Sequence, residues 1–154
     1  MLESVLMHLK NWFAVDIQEG TFTIRGNDIV LPFLQDGQYY RICGSVFNDG
    51  LHKYGDIEQL QDETFTGSIW ALAVPKAVIE LSEKIEAWQT KNGDAVASPY
   101  SSESIGGYSY TKATDPNTGA TATWESVFRT QLNPWRKLRE TAHVRARRGL
   151  YEPY

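Results

Sequence analysis

This sequence has little cysteine, little histidine and no long apolar run. A single cysteine, Cys43, among 154 residues excludes an internal disulfide, so an oxidising compartment gives the fold no benefit. Cys43 lies in the strand-like run Tyr40-Arg41-Ile42-Cys43 with no Cys/His partner pattern, the setting of a buried, inert thiol rather than a nucleophile. The three histidines, His8, His52 and His143, stand far apart, and none has a second ligand three or four residues on, which speaks against a metal site. No apolar stretch approaches the ~20 residues that cross a bilayer. Met1-Leu2-Glu3-Ser4 lacks the basic start and apolar run of a secretory signal. The expectation is a protein made and kept in the cytoplasm, without a membrane partner, unless something larger carries it out.

The signatures of catalysis are also missing. Gly106-Gly107 is followed by Tyr-Ser-Tyr-Thr, which is strand chemistry and not a phosphate cradle opening a helix. No G-x-S-x-G elbow occurs. Asp62 and Glu63 are adjacent carboxylates, but neighbours in sequence point different ways on a strand or a helix, so a solvated loop end or a cap suits them better than acid–base work. The expectation is a non-enzyme with no cofactor.

What the chain has is a core's worth of apolar residues and a surplus of aromatics: five Trp, eight Tyr and six Phe at 42% hydrophobic overall. Trp and Tyr serve cores and interfaces alike. The net charge of −4 hides an asymmetry. From Arg129 to Tyr154 seven basic residues face two acidic ones, a net of +5, which leaves −9 on residues 1–128. An acidic body with a basic end suits an end that docks on something acidic, either nucleic acid or the body of another copy.

Leu2, Val5, Leu6, Leu9, Trp12 and Phe13 follow helical spacing and predict an amphipathic helix over Leu2–Phe13. Thr21–Arg25 alternates, Gly26-Asn27 matches a two-residue hairpin turn, and Ile29-Val30-Leu31 is the expected return strand, ended by Pro32. A third run spans Gln38–Phe47 and closes on the turn Asn48-Asp49-Gly50, with Leu51–Tyr54 as a short return. Thr64–Val74 is apolar on both faces and reads as a central strand, although periodicity alone leaves a helix open. Pro75 suits the first residue of a helix carrying Val78, Leu81, Ile85 and Trp88 on its core face, with Asn92-Gly93 as its stop. Residues 94–122 form a long Gly/Ser/Thr-rich arm, with a turn at Asp115–Gly119. Thr123 caps a last helix with Trp124, Val127, Phe128, Leu132, Trp135 and Leu138 on one face, kinked or ended near Asn133 by Pro134.

The fold class is therefore α+β: an N-terminal helix, a small antiparallel sheet, and two further amphipathic helices separated by the long Ser/Gly/Tyr-rich arm. One domain spans residues 1–142, and residues 143–154 are an extended tail.

Two segments exceed what a monomer needs. The arm segment from Ser98 to Thr111 places Tyr108 and Tyr110 on one strand face and adds Ile105, a density of Tyr and Ile that a plain flexible loop does not carry. The tail mixes Arg145, Arg147 and Arg148 with Leu150, Tyr151 and Tyr154, the composition of interface anchors; a disordered end is the equal alternative.

The phrase Glu103-Ser104-Ile105-Gly106-Gly107-Tyr108-Ser109-Tyr110, set between two amphipathic helices and followed by Asn133-Pro134-Trp135-Arg136-Lys137-Leu138, resembles the head-tail connector (adaptor) proteins of tailed phages and prophages. The Leu-rich first helix and Ile69–Pro75 look like prophage members from Gram-positive hosts. The resemblance covers Leu2–Phe13 and Phe65–Leu138, while Gly20–Tyr54 departs from the mainly helical members. It implies a virion structural protein: a homo-oligomeric ring, twelvefold like the portal, with the portal protein above, a neck or tail-completion protein below, and genomic DNA passing through without sequence-specific binding. It places the subunit or portal interface on Glu103, Ile105, Gly106, Gly107, Tyr108 and Tyr110, to which the tail adds Arg145, Arg147, Arg148, Leu150, Tyr151 and Tyr154. The readings that compete with it are a nucleic-acid-binding protein using the basic end, another neck or tail-completion role, and a carbohydrate-binding module.

Overall fold

The computed structural model describes residues 1–56, 60–97, 102–105, 108–111 and 122–138. Among these the elements run α1 (Leu2–Leu9), β1 (Ala14–Ile24), β2 (Tyr39–Cys43), β3 (Gly50–Lys53), β4 (Glu63–Leu72), α2 (Lys76–Ala97), β5 (Ser102–Ile105), β6 (Tyr108–Thr111), α3 (Trp124–Val127), α4 (Arg129–Leu132) and a 3₁₀ turn at Asn133–Trp135. This is the α+β class that the residue pattern predicts. The larger sheet is antiparallel in the order β1-β4-β2-β3, and β5 pairs with β6 in a sheet of their own.

The run with two apolar faces is indeed an inner strand, paired with β1 on one edge and β2 on the other. Phe65, Ile69 and Ala71 of β4 join Tyr40 and Ile42 of β2 in a core completed by Ile24, Ile29, Leu31, Leu34 and Leu60. On the other face, Trp70 lies opposite Arg41. A second core lies among the helices: Val5, Leu6 and Leu9 of α1, Val78, Leu81 and Ile85 of α2, and Leu132, ringed by Trp12, Phe13, Leu51, Trp124, Phe128 and Trp135. Pro75 sits one residue before α2, and its carbonyl accepts the first helical bonds from Val78 and Ile79. Trp88 lies at the edge of this core, half-exposed, with its ring edge-on to Phe128 at 6.3 Å.

Several boundaries differ from the sequence expectation for identifiable reasons. α1 stops at Leu9, because Lys10 turns left-handed (φ 52) and its N–H closes back on the carbonyls of Leu6 and Met7. Trp12 and Phe13 therefore leave the helix, yet still pack against the second core.

The Gly26-Asn27 turn forms, both residues at positive φ, but Ile29–Leu31 is not a strand. Only the bridge Arg25–Asp28 closes. The next N–H groups go elsewhere: that of Ile29 to its neighbour Asp28 Oδ1, and that of Leu31 to the Tyr54 hydroxyl. Ile29 and Leu31 become a lid on the sheet core, and β1 instead runs eleven residues along β4. The first part of β1 is exposed on both faces, so no alternation announces it.

α2 passes through Asn92-Gly93 and ends at Ala97. The arm is not all loop, since β5 and β6 lie within it. The last helix breaks at Phe128 before it reaches Pro134, which opens the 3₁₀ turn. Its start is tied reciprocally: the Thr123 N–H donates to Ser126 Oγ, whose hydroxyl donates to the Thr123 carbonyl.

One contact admits no side chain. Where the chain leaves β2, Gly44 (φ +94) lies against β4, and a Cβ on Gly67 would stand 2.1 Å from the Cys43 carbonyl oxygen. Gly67→Ala should destabilise the protein by at least roughly 1–3 kcal/mol, because backbone and not a side-chain tip must move. Ile85→Ala should cost roughly 2–5 kcal/mol. Urea melts of both variants check this; a neutral Gly67→Ala would contradict the close crossing.

Candidate functional site

The hairpin β5–β6 carries the arm residues singled out in the sequence. Its register sets Glu103 opposite Tyr110 and Ile105 opposite Tyr108. Directly opposed residues and residues two apart share a face, so Glu103, Ile105, Tyr108 and Tyr110 lie on one side. Ser102, Ser104, Ser109 and Thr111 lie on the other. Gly106 and Gly107 fall outside the described residues, as do Arg145, Arg147, Arg148, Leu150, Tyr151, Tyr154 and the Asp115–Gly119 turn. The hairpin and the tail are thus not brought together within the described residues.

Two features that sequence reasoning did not single out stand at the two ends of β4. The first is the loop Gly44–Asp49, which wraps around the Glu63 carboxylate. That carboxylate accepts from the Ser45 hydroxyl at 2.5 Å, Val46 N–H at 2.9 Å, Asn48 Nδ2 at 3.0 Å and Phe47 N–H at 3.4 Å. Asn48 is buried and clamps the neighbouring strand end: its amide donates to the Gln61 carbonyl and its Oδ1 accepts the Gln61 N–H. Asp49 Oδ1 takes the Gly44 N–H at 2.8 Å. The loop so fixed holds Val46 80% and Phe47 61% exposed. The adjacent Asp62-Glu63 pair thus splits as neighbours on a strand end do: Glu63 turns into this clasp, and Asp62 accepts the Asn27 N–H from across the turn.

The second feature is a pocket of about 400 Å³ lined by Lys10, Asn11, Trp12, Phe13, Ala14, Ile17, Trp70 and Lys137. The Arg41 guanidinium lies 3.9 Å from the Trp12 ring centre and 5.1 Å from that of Trp70, a cation held between two indoles. Among the described residues, Arg41 Nε is buried without a hydrogen-bond partner. Lys10 and Phe13 both adopt positive φ, which bulky side chains rarely do, and both line this pocket. The C-terminal segment closes it: Asn11 donates to the Trp135 carbonyl, and Lys137 N–H to the Leu9 carbonyl. The signal for this pocket was present in the cluster Trp12-Phe13 and in Trp70, but the predicted helix placed the first two in the core.

Cys43 is half-buried; burial pushes its thiol pKa up, partly offset by the Arg41 charge. Among the described residues no group of three or more His, Cys, Asp or Glu could hold a metal ion. No helix among them is long and apolar enough to cross a membrane. Compared with protein-family models, with curated proteins and with solved structures, the chain matches none.

Two groups make stability pH-dependent in the same direction. The Ser45 hydroxyl first, and the Val46, Asn48 and Phe47 donors after it, hold the Glu63 carboxyl below its ordinary value of 4.5. Burial, then the Arg136 charge, lowers His8 below its ordinary 6.5, against a smaller upward pull from Glu125. Arg136 Nη2 donates to His8 Nε2 at 2.6 Å, an arrangement that needs the neutral ring. Both groups bind fewer protons folded than unfolded, so stability rises with pH. His8 contributes its full share above about pH 6.5 and loses it as pH falls below that; Glu63 does the same from about pH 4.5 downward. Urea melts from neutral to acid pH should show the upper part of this fall flattened in His8→Gln and the lower part in Glu63→Gln. In hydrogen exchange, Glu63→Gln should also strip protection from the Val46 and Phe47 amides while the β4 amides keep theirs. Unchanged loop amides would contradict the clasp.

Proposed function

We propose that this protein is a non-catalytic structural subunit of a tailed-phage particle: a head-tail connector forming a ring between portal and neck or tail, with the genome passing through its lumen. The observation that carries the reading is the β5–β6 hairpin. It falls on the phrase Glu103–Tyr110 that resembles the connector proteins, between α2 and α3, and among the described residues its two strands pair with each other alone. A lone two-stranded hairpin is at best marginal in water. A neighbouring subunit supplies the surface that a face bearing Ile105, Tyr108 and Tyr110 needs.

The charge distribution supports the same reading. Subunits in a ring meet head to tail, so each presents two different, complementary patches. A −9 body and a +5 end are such a pair. An acidic lumen also lets DNA slide, where a Lys/Arg-lined one would grip its phosphates. The portal protein and a neck or tail-completion protein are the partners on either side, and no cofactor takes part.

In this reading Arg145, Arg147, Arg148, Leu150, Tyr151 and Tyr154 anchor the subunit to the portal or to an adjacent copy. Deleting Val144–Tyr154 should leave the melting temperature of the purified protein unchanged while preventing infectious particles from forming. Infectious particles built from the truncated protein would contradict the anchor role. If the deletion removes only affinity for free DNA, a nucleic-acid-binding function replaces the connector one.

A further inference from the structure

The clasped loop and the aromatic pocket are a tip and a socket that one copy cannot join to each other. The loop is tied to Glu63, the first residue of β4, and the pocket contains Trp70, seven residues further along. At ~3.3 Å per residue they lie roughly 23 Å apart along the strand, and odd and even positions put them on opposite faces.

We propose that Val46 and Phe47 of one copy seat in the Trp12–Phe13–Trp70 pocket of the next, making a head-to-tail contact between identical chains. The inference rests on the ring-forming reading for the existence of a multi-copy assembly, and it names the surfaces that meet.

Three properties make the two ends fit. The first is apolar matching: an exposed Val-Phe pair faces a pocket walled by Trp12, Phe13, Ile17 and Trp70. The second is charge. Lys10 and Lys137, both exposed, belong to the pocket, whereas exposed Asp49 and Asp62 flank the tip. The third is preparation. Four hydrogen bonds to one carboxylate fix the loop before any partner arrives, so docking it costs little ordering entropy. The socket is likewise set in advance, with Trp12 held against Arg41 and backbone strain stored at Lys10 and Phe13. A tip and a socket on every copy form a heterologous contact, which closes into a ring when the rotation between copies allows.

The test uses the full chain carrying Cys43→Ser, so that no native thiol competes. With Phe47→Cys and Lys10→Cys on the same chain, a short bismaleimide should give a ladder of covalent multimers. The two single variants mixed should give dimers only, and neither should cross-link alone. Separately, Phe47→Asp should weaken self-association at least about tenfold with an unchanged circular dichroism spectrum. Rings of the parent chain that form without any Phe47–Lys10 cross-link would overturn this contact and leave the connector reading standing. Equal cross-linking of Phe47→Cys with itself would overturn it too, because that is a two-fold contact. A chain that stays monomeric with and without portal protein would overturn both.

Discussion

Strand β4 is the constraint on which the rest of this molecule depends. It hydrogen-bonds to β1 along one edge and to β2 along the other, so all four strands of the larger sheet are held through it. Phe65, Ile69 and Ala71 fill the sheet core, and Trp70, between the last two, faces the Arg41 guanidinium. Its last residues turn directly into α2, and Ala73 donates back to the Phe13 carbonyl, so the helical core is tied to the same strand. The glycine crossing of Gly44 over Gly67 brings the loop after β2 against β4, and Glu63 then gathers that loop around its carboxylate. A shift of one residue in β4 would exchange its two faces and misplace the tip and the socket together.

This arrangement separates a braced body from the parts that reach outward. The body holds two cores with few polar interruptions: Ser45, Asn48 and Ser82 are buried, and each has hydrogen-bond partners. The outward parts are the clasped tip, with Val46 and Phe47 exposed, and the aromatic pocket, with Lys10 and Lys137 exposed beside it. Exposed Val46 and Phe47 do nothing for the stability of a monomer; if anything, they risk aggregation. Holding them out with a carboxylate and a buried Asn suits a protein whose working state has neighbours.

Much of this was legible in the sequence, and what was missed has physical causes. The apolar run Thr64–Val74 gave away a central strand: it pairs on both edges, and over Ile69–Leu72 it is covered on both faces, where alternation disappears. Val5, Leu6 and Leu9 with Val78, Leu81 and Ile85 gave away the helical core. The first half of β1 could not be read: Asp16, Gln18 and Glu19 face solvent, and their strand conformation comes from pairing with β4 some fifty residues away. Ile29–Leu31 had strand composition but lost its ladder to the side chains of Asp28 and Tyr54. The clasp is hidden because the sequence shows Asp62-Glu63 only as a local pair, whereas Glu63 finds its partners about sixteen residues upstream. In the arm, the alternation of Tyr108 and Tyr110 with Ser109 and Thr111 is strand spacing, and β6 spans these four residues, while the partner strand β5 and its register are not legible in that spacing.

A connector subunit of the kind proposed closes on copies of itself. Sedimentation velocity on the purified full-length protein across a wide concentration range, with and without portal protein, tests it most directly. Closure leaves no unfilled tip or socket, so two populations are expected, monomer and one large discrete species, with little between them. A single monomer peak at every concentration, unchanged by portal protein, would rule closure out.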